Sequence, residues 1–138
     1  MNGVVQIAVP WDVQRLSPNT RLHWAFRAAR VKQARAATKL AWFDAACPLM
    51  NGPVEVSLLI RRGRSIDPDN ALAGAKAILD QLLTFKHGGC GMVEDDSAAF
   101  VRYAPIQFET GKEWIGREEV VITVTLLTDT GDLNGPAG

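Results

Sequence analysis

The run VEVSLLIRRGRSIDPDNALAGAKAILD, residues 54–80, changes its period halfway along. Up to Ile60 the apolar residues alternate, so that Val54, Val56, Leu58 and Ile60 share one face, the pattern of a strand. From about Pro68 to Phe85 the pattern becomes helical, and Leu72, Ile78, Leu79, Leu82 and Leu83 require a largely buried helix. Asp67 is a preferred N-cap, Pro68 suits the first helical position, and Asp69 in the first turn favours the helix dipole. A strand thus feeds straight into a helix through a basic turn holding Arg61, Arg62 and Arg64. Such a strand-to-helix turn, residues 61–69, is a natural place for a site.

Outward from this run, Val4–Val9 reads as a short strand closed by Pro10, and residues 10–20 as a loop. An alanine-rich helix without Gly or Pro is predicted from Arg21 to about Ala46, capped by Asn19 or Thr20 and ended by Pro48 and Gly52. It is not cleanly amphipathic, and Arg27, Arg30, Lys32, Arg35 and Lys39 spread over a broad arc. That arc reads either as a solvated face or as a row of cations facing phosphates. After the second helix come a glycine-rich loop (Lys86–Gly91), the acidic Glu94-Asp95-Asp96, a strand over Ala98–Ala104 and a long loop or hairpin excursion from Pro105 to Arg117 containing Trp114. A β-branched strand over Glu118–Leu127 follows. The order β–α–β–α–β–β predicts an α/β (α+β) domain, a small mixed sheet of about four strands backed by two helices. Residues 1–127 make one domain and 128–138 a polar, flexible tail.

No apolar run approaches the ~18 residues of a membrane span, and the N-terminus lacks a basic segment of the signal-peptide kind. With two cysteines there is no disulfide framework, and a cytoplasmic protein with free thiols is expected. Net charge is zero, yet residues 1–66 hold ten Lys/Arg against three acids and residues 67–138 five against twelve. A +7 half beside a −7 half suggests a polyanion-binding face next to an acidic site, or two halves that pair their charges across the fold.

The chemistry gathers at Asp67-Pro68-Asp69-Asn70. Alone, this tetrapeptide is a sufficient helix start. Beyond it, Asp69, Lys76 and Asp80 lie within about 40° of one another on the helix, roughly 60° from the stripe of Leu72, Leu79 and Leu83. A lysine is thereby set near carboxylates at the rim of the core, although Lys76 and Asp80 are also a simple i,i+4 pair. Glu94-Asp95-Asp96 is either a solvated turn or the source of a third carboxylate. Converging carboxylates repel unless a divalent cation sits among them, and Mg2+ takes oxygen ligands. His87 and Cys90 lack two further ligands for zinc. His23 reads as structural. The tryptophans read as core by default, with Trp114 a candidate DNA contact.

The series D-x-D-N at a helix start, a Lys and an Asp four apart, a glycine-containing turn, then D-D before a strand resembles the RusA-type Holliday junction resolvases, often carried by phages and prophages. The segment SPNTRLHWAFRAARVKQ, Ser17 to Gln33, is similar to the family's basic N-terminal region, and the likeness covers roughly residues 5–127. It implies a dimeric, Mg2+-dependent endodeoxyribonuclease (Mn2+ as substitute) in which metal-activated water attacks the phosphodiester and paired nicks resolve four-way DNA junctions. The catalytic carboxylates would fall on Asp67, Asp69 and Asp96, with Asp95 the ligand if the register shifts by one, and the functional lysine on Lys76. Asn70 would orient a ligand or cap the helix, with Asp80 in support. Arg61, Arg62, Arg64, Arg27, Arg30, Lys32 and Arg35 would grip DNA. Some members carry the lysine four residues after the second motif aspartate, whereas Lys76 is seven after Asp69, about one turn further along the same face. The alternatives are a non-catalytic DNA-structure-binding protein and a less selective branched-DNA or flap nuclease.

Overall fold

Strand β2 (Val54–Arg62) is the axis of the sheet. On one side it pairs antiparallel with β5 (Glu119–Leu126), from Val54↔Leu126 to Arg61↔Glu119. β5 pairs antiparallel in turn with β1 (Val4–Val9), which forms one edge. On its other side β2 carries two short parallel partners end to end: β3 (Val101–Tyr103) beside Val54–Val56, and β4 (Gln107–Thr110) beside Leu59–Arg62. This is a computed structural model, and it describes residues 3–18, 20–21, 23–95 and 97–127. Among them the architecture is a five-stranded mixed sheet backed by two helices, α1 (Trp24–Asp44) and α2 (Pro68–Leu83).

The topology follows from the sequence periods. Val54, Val56, Leu58 and Ile60 are buried on the helix-covered face, as the alternation demands. A parallel β2–β3 pair needs a crossover, and α2 supplies it. α2 buries Ala71, Ala75, Ile78, Leu79, Leu82 and Leu83. Ile78 and Leu82 are fully enclosed, each contributing about 1.5–3 kcal/mol by burial. The buried side chains join in one cluster spanning sheet and helices. α1 buries only Ala34 and Thr38 completely, which explains its weak amphipathicity: it lies over the assembled core instead of inside it. Among the described residues no helix is long and apolar enough to cross a membrane.

The structure departs from expectation in several places. The small mixed sheet expected gains a fifth strand, because the loop or hairpin excursion at 105–117 contains β4 and a 3-10 turn at Lys112–Trp114. Residues 98–100 are not strand: the amides of Phe100 and Val101 both donate to the Ser97 carbonyl in a turn, and β3 begins only at Val101. The supposed loop at 10–20 holds a 3-10 helix, Val13–Leu16, capped by Asp12. Its Val13 and Leu16 are buried and pack on α2. α1 starts at Trp24, where the His23 ring Nδ1 accepts from the Ala25 amide at 3.2 Å. Thr20 Oγ1 instead donates to the Gln14 carbonyl, and Asn19 lies outside the described residues. α1 ends before Pro48, because Ala46 and Cys47 take positive φ and their amides donate to Phe43 and Trp42. Residues 128–138, the expected tail, lie outside the described residues.

Candidate functional site

The turn after β2 hands the chain to α2 through Asp67. Its Oδ2 accepts from the amides of Asp69 at 3.1 Å and Asn70 at 3.4 Å, so the cap expected of this residue type is made. Asn70 is thus the capped residue, not the cap. Both motif carboxylates face solvent. Oδ1 of Asp67 and the whole carboxylate of Asp69 have no hydrogen-bond partner among the described residues. Two oxygen-only donors, open to water, fit a hard divalent cation such as Mg2+.

Lys76 Nζ stands 3.6 Å from Asp80 Oδ2, one turn apart. The lysine, expected at the edge of burial, is instead 76% exposed. Leu72, expected in the apolar stripe, is 44% exposed. Asp69, Leu72, Ala73, Lys76, Leu79 and Asp80 form one wall of a cleft of about 460 Å3, closed on the other side by Tyr103 of β3. Behind the Lys76–Asp80 ridge, between α1 and α2, lies a second hollow of about 230 Å3 lined by Arg27, Arg35, Val31 and Leu16.

The arginines separate into two groups by partner. Arg27 donates to the Leu16 carbonyl (3.0 Å) and Arg30 to the Arg15 carbonyl (3.0 Å). Arg35 donates to Gln81 Oε1 (2.7 Å) and the His87 carbonyl (2.8 Å). These acceptors are neutral, and among the described residues no carboxylate is paired with Arg27, Arg30 or Arg35. Lys32 is exposed on the same helix. On the sheet the reverse holds. Arg61 pairs with Glu119 at 2.6 Å and Glu109 at 3.0 Å and lies over Trp114, 4.8 Å from its ring centre. Those hydrogen bonds, Glu119 first, raise its pKa above the usual arginine value. Arg62 pairs with Asp12 at 3.1 Å and also donates to the carbonyls of Arg64 and Ser65. Arg61 and Arg62, expected to grip DNA, are thus paired with carboxylates within the fold. Arg64 is exposed, with no carboxylate partner among the described residues. Trp114 stacks with Arg61 and Arg117, and Trp24, expected in the core, is 76% exposed.

The acidic turn precedes β3, which enters beside Val54, the first residue of β2, whereas Asp67 follows its last residue. Asp95 Oδ1 accepts from the Ser97 amide at 2.9 Å. Asp96 lies outside the described residues. Among the described residues no three or more His, Cys, Asp or Glu come together to hold a metal ion, so Asp95 does not join Asp67 and Asp69 there. His87 contributes its carbonyl to Arg35, and Cys90 is buried with its thiol pKa raised, chiefly by desolvation.

Two site residues escaped the sequence reading. Gln81 is buried on α2, where its amide holds Arg35 and donates to the Gly88 carbonyl at 3.2 Å. Its signal was a polar residue three positions after Ile78, on the core face. Tyr103, the one tyrosine of the chain, carried no local signal, since only the β2–β3 register brings it to α2.

No family model matches the chain. It is similar to an uncharacterized protein of Xylella fastidiosa (strain Temecula1 / ATCC 700964), 30% identical over 139 residues, an alignment that covers 99% of this chain and 88% of the relative.

Proposed function

We propose that this chain, which belongs to the family of the Xylella fastidiosa protein, is a Mg2+-dependent endodeoxyribonuclease acting on branched DNA, four-way junctions above all. The observation that carries the reading is the position of Asp69. Its carboxylate, without a hydrogen-bond partner among the described residues, opens onto the cleft that also holds Lys76 and Asp80, and Arg27 and Arg35 of α1 stand just behind. Acid for a cation beside base for phosphate is what phosphodiester hydrolysis requires.

Asp67 and Asp69 would hold the Mg2+, or Mn2+ in its place, with Asp96 the third carboxylate from the acidic turn. When bound, the cation supplies an acidified water and offsets charge developing on the phosphodiester. The chain's own residues bind and orient. Asp67 keeps Asp69 on the first turn by capping it. Lys76 brings positive charge to the phosphate, and Asp80 restrains it. Arg27, Arg30, Lys32 and Arg35, with Arg64, hold the DNA backbone. One such site nicks one strand, so paired nicks need a C2 homodimer.

Labelled four-way junction, linear duplex and flap substrates, each with Mg2+ and with EDTA, test the reading. Paired nicks in the junction with Mg2+ are expected, and binding without cutting by Asp69→Asn. Wild-type cutting by that variant would overturn the assignment. A specific observation favours a second reading, a non-catalytic binder of branched DNA: DPDN makes a complete helix cap, and the described residues hold no three-ligand group. It requires junction binding indifferent to EDTA and no cut strands under any condition.

A further inference from the structure

We infer that the cleft between α2 and β3 receives an unstacked nucleobase, with Tyr103 as its stacking surface, while the adjoining phosphate lies over Lys76 toward Arg27 and Arg35. This rests on the reading above and names the feature of branched DNA that the site would take: an unpaired nucleotide. Tyr103 stands opposite Val56 in the parallel register, and Val56 points to the helix-covered face of the sheet. Directly paired residues share a face, so the tyrosine ring emerges on that face too. β3 lies on the outer side of β2, however, and Tyr103 remains 51% exposed. Across the cleft stand Leu72, Ala73 and Leu79, with Leu72 at 44% exposure. One wall is aromatic and the other aliphatic. The polar groups of the lining side chains, apart from the tyrosine hydroxyl, are Asp69, Lys76 and Asp80. An apolar slot of about 460 Å3 with a few convergent polar groups is a small-ligand site by its dimensions.

The charge around the slot selects the ligand. Lys76 and Asp80 line both this cleft and the hollow between the helices, where Arg27 and Arg35 add two cations. A flat apolar group on one side of the ridge and an anion on the other describe a nucleotide. Aromatic stacking accepts any base, and a duplex keeps its bases stacked on one another, so the slot discriminates for single-stranded or branch-point nucleotides.

The probes are a four-way junction and a single-stranded oligodeoxynucleotide, each carrying 2-aminopurine, titrated in EDTA so that no cutting enters the measurement. The expected result is a change in 2-aminopurine fluorescence on wild-type binding. Tyr103→Ala should lose that change and bind both probes roughly tenfold more weakly, while Tyr103→Phe, which keeps the ring, retains the fluorescence change. Leu72→Glu, on the opposite wall, should reproduce the loss. Far-UV circular dichroism confirms that each variant is folded. If folded Tyr103→Ala and Leu72→Glu bind both probes as tightly as wild type with the same fluorescence change, the inference is overturned. Cleavage is scored separately with Mg2+. A wild-type chain that stacks the probe yet cuts nothing defeats the nuclease reading and leaves the base slot standing.

Discussion

The Asp67 carboxylate accepts the amide of Asp69 at 3.1 Å, so one acid of the D-x-D pair fixes the backbone that carries the other. Among the described residues only one oxygen of Asp67 is used in this way, and the residue is exposed. Cap and ligand are therefore not competing roles for the residue, and substitution separates them. Asn caps a helix about as well as Asp, whereas Ala removes the acceptor. Asp67→Asn should leave the thermal midpoint nearly unchanged, and Asp67→Ala should cost about 0.5–2 kcal/mol of stability. Both should lose Mg2+-dependent cutting. Thermal unfolding beside a junction-cleavage assay checks the pair, and wild-type cutting by either variant removes Asp67 from the site.

The division of arginines by partner predicts a division of phenotypes. Removing a phosphate contact lowers the slope of log affinity against log salt by about one. Arg35→Ala and Lys32→Ala should each lower the slope by about that much. Arg61→Gln should not, because its guanidinium is occupied by Glu119, Glu109 and the Trp114 ring. Its effect should be a lower unfolding temperature. Salt-dependent binding titrations in EDTA distinguish the two outcomes.

Much of the fold was legible because period and punctuation agree. The alternation at 54–60, the D-P pair at a helix start and the β-branched run before Leu127 each specify one element without help from the rest of the chain. What was not legible is set by pairing at a distance. β4 is four residues long and is held as strand by its register with Leu59–Arg62, not by any period of its own. The arginines show the same limit. Arg61 and Arg35 look alike in sequence, and the registers that put Glu119 and Glu109 opposite Arg61 decide that it is the one paired with carboxylates among the described residues. For the candidate site, local sequence placed Asp67, Asp69, Lys76 and Asp80 on one helix. Tyr103 depended on topology, and so does whatever carboxylate completes the set.

Two positions invert ordinary helix propensity. Gly74 sits inside α2, where alanine is normally better by about 1 kcal/mol. A Cβ there would overlap the carbonyl of Val13, in the 3-10 helix packed against α2. Backbone cannot step aside as a flexible side chain can, so Gly74→Ala should destabilise by about 1–3 kcal/mol. Ala46 is the converse. It ends α1 at φ 71°, the left-handed conformation that glycine adopts without penalty. Ala46→Gly should stabilise by about 0.5–1 kcal/mol, the relief exceeding the added freedom of the unfolded chain. Denaturant midpoints at constant slope measure both.

The two thiols should differ in reactivity and in pH response. Cys47 is partly exposed, and Cys90 is buried with its pKa raised by desolvation. A maleimide at neutral pH should label Cys47 first and reach Cys90 only on unfolding. The raised pKa means that the folded chain keeps this proton at a pH where the unfolded chain has released it. The contribution to stability is complete below the unfolded value, about 8.5, and is lost as pH rises through the folded one. The denaturant midpoint should therefore fall on the alkaline side of that value, and Cys90→Ala should remove that part of the fall.

The acidic turn offers the sharpest separation of neighbouring residues. Asp95 is engaged locally, its Oδ1 receiving the Ser97 amide just ahead of β3. Asn makes the same turn contact with its side-chain oxygen, so Asp95→Asn should fold and cut as wild type. If Asp96 supplies the third carboxylate, Asp96→Asn should fold normally, bind junction DNA in EDTA with wild-type affinity, and lose cutting by at least about a hundredfold, the scale on which single electrostatic groups act in catalysis. Cutting lost in Asp95→Asn but kept in Asp96→Asn would move the third ligand by one residue. Cutting kept in both would leave Asp67 and Asp69 without a partner from this turn and direct the search to Asp80, the other carboxylate on the same cleft.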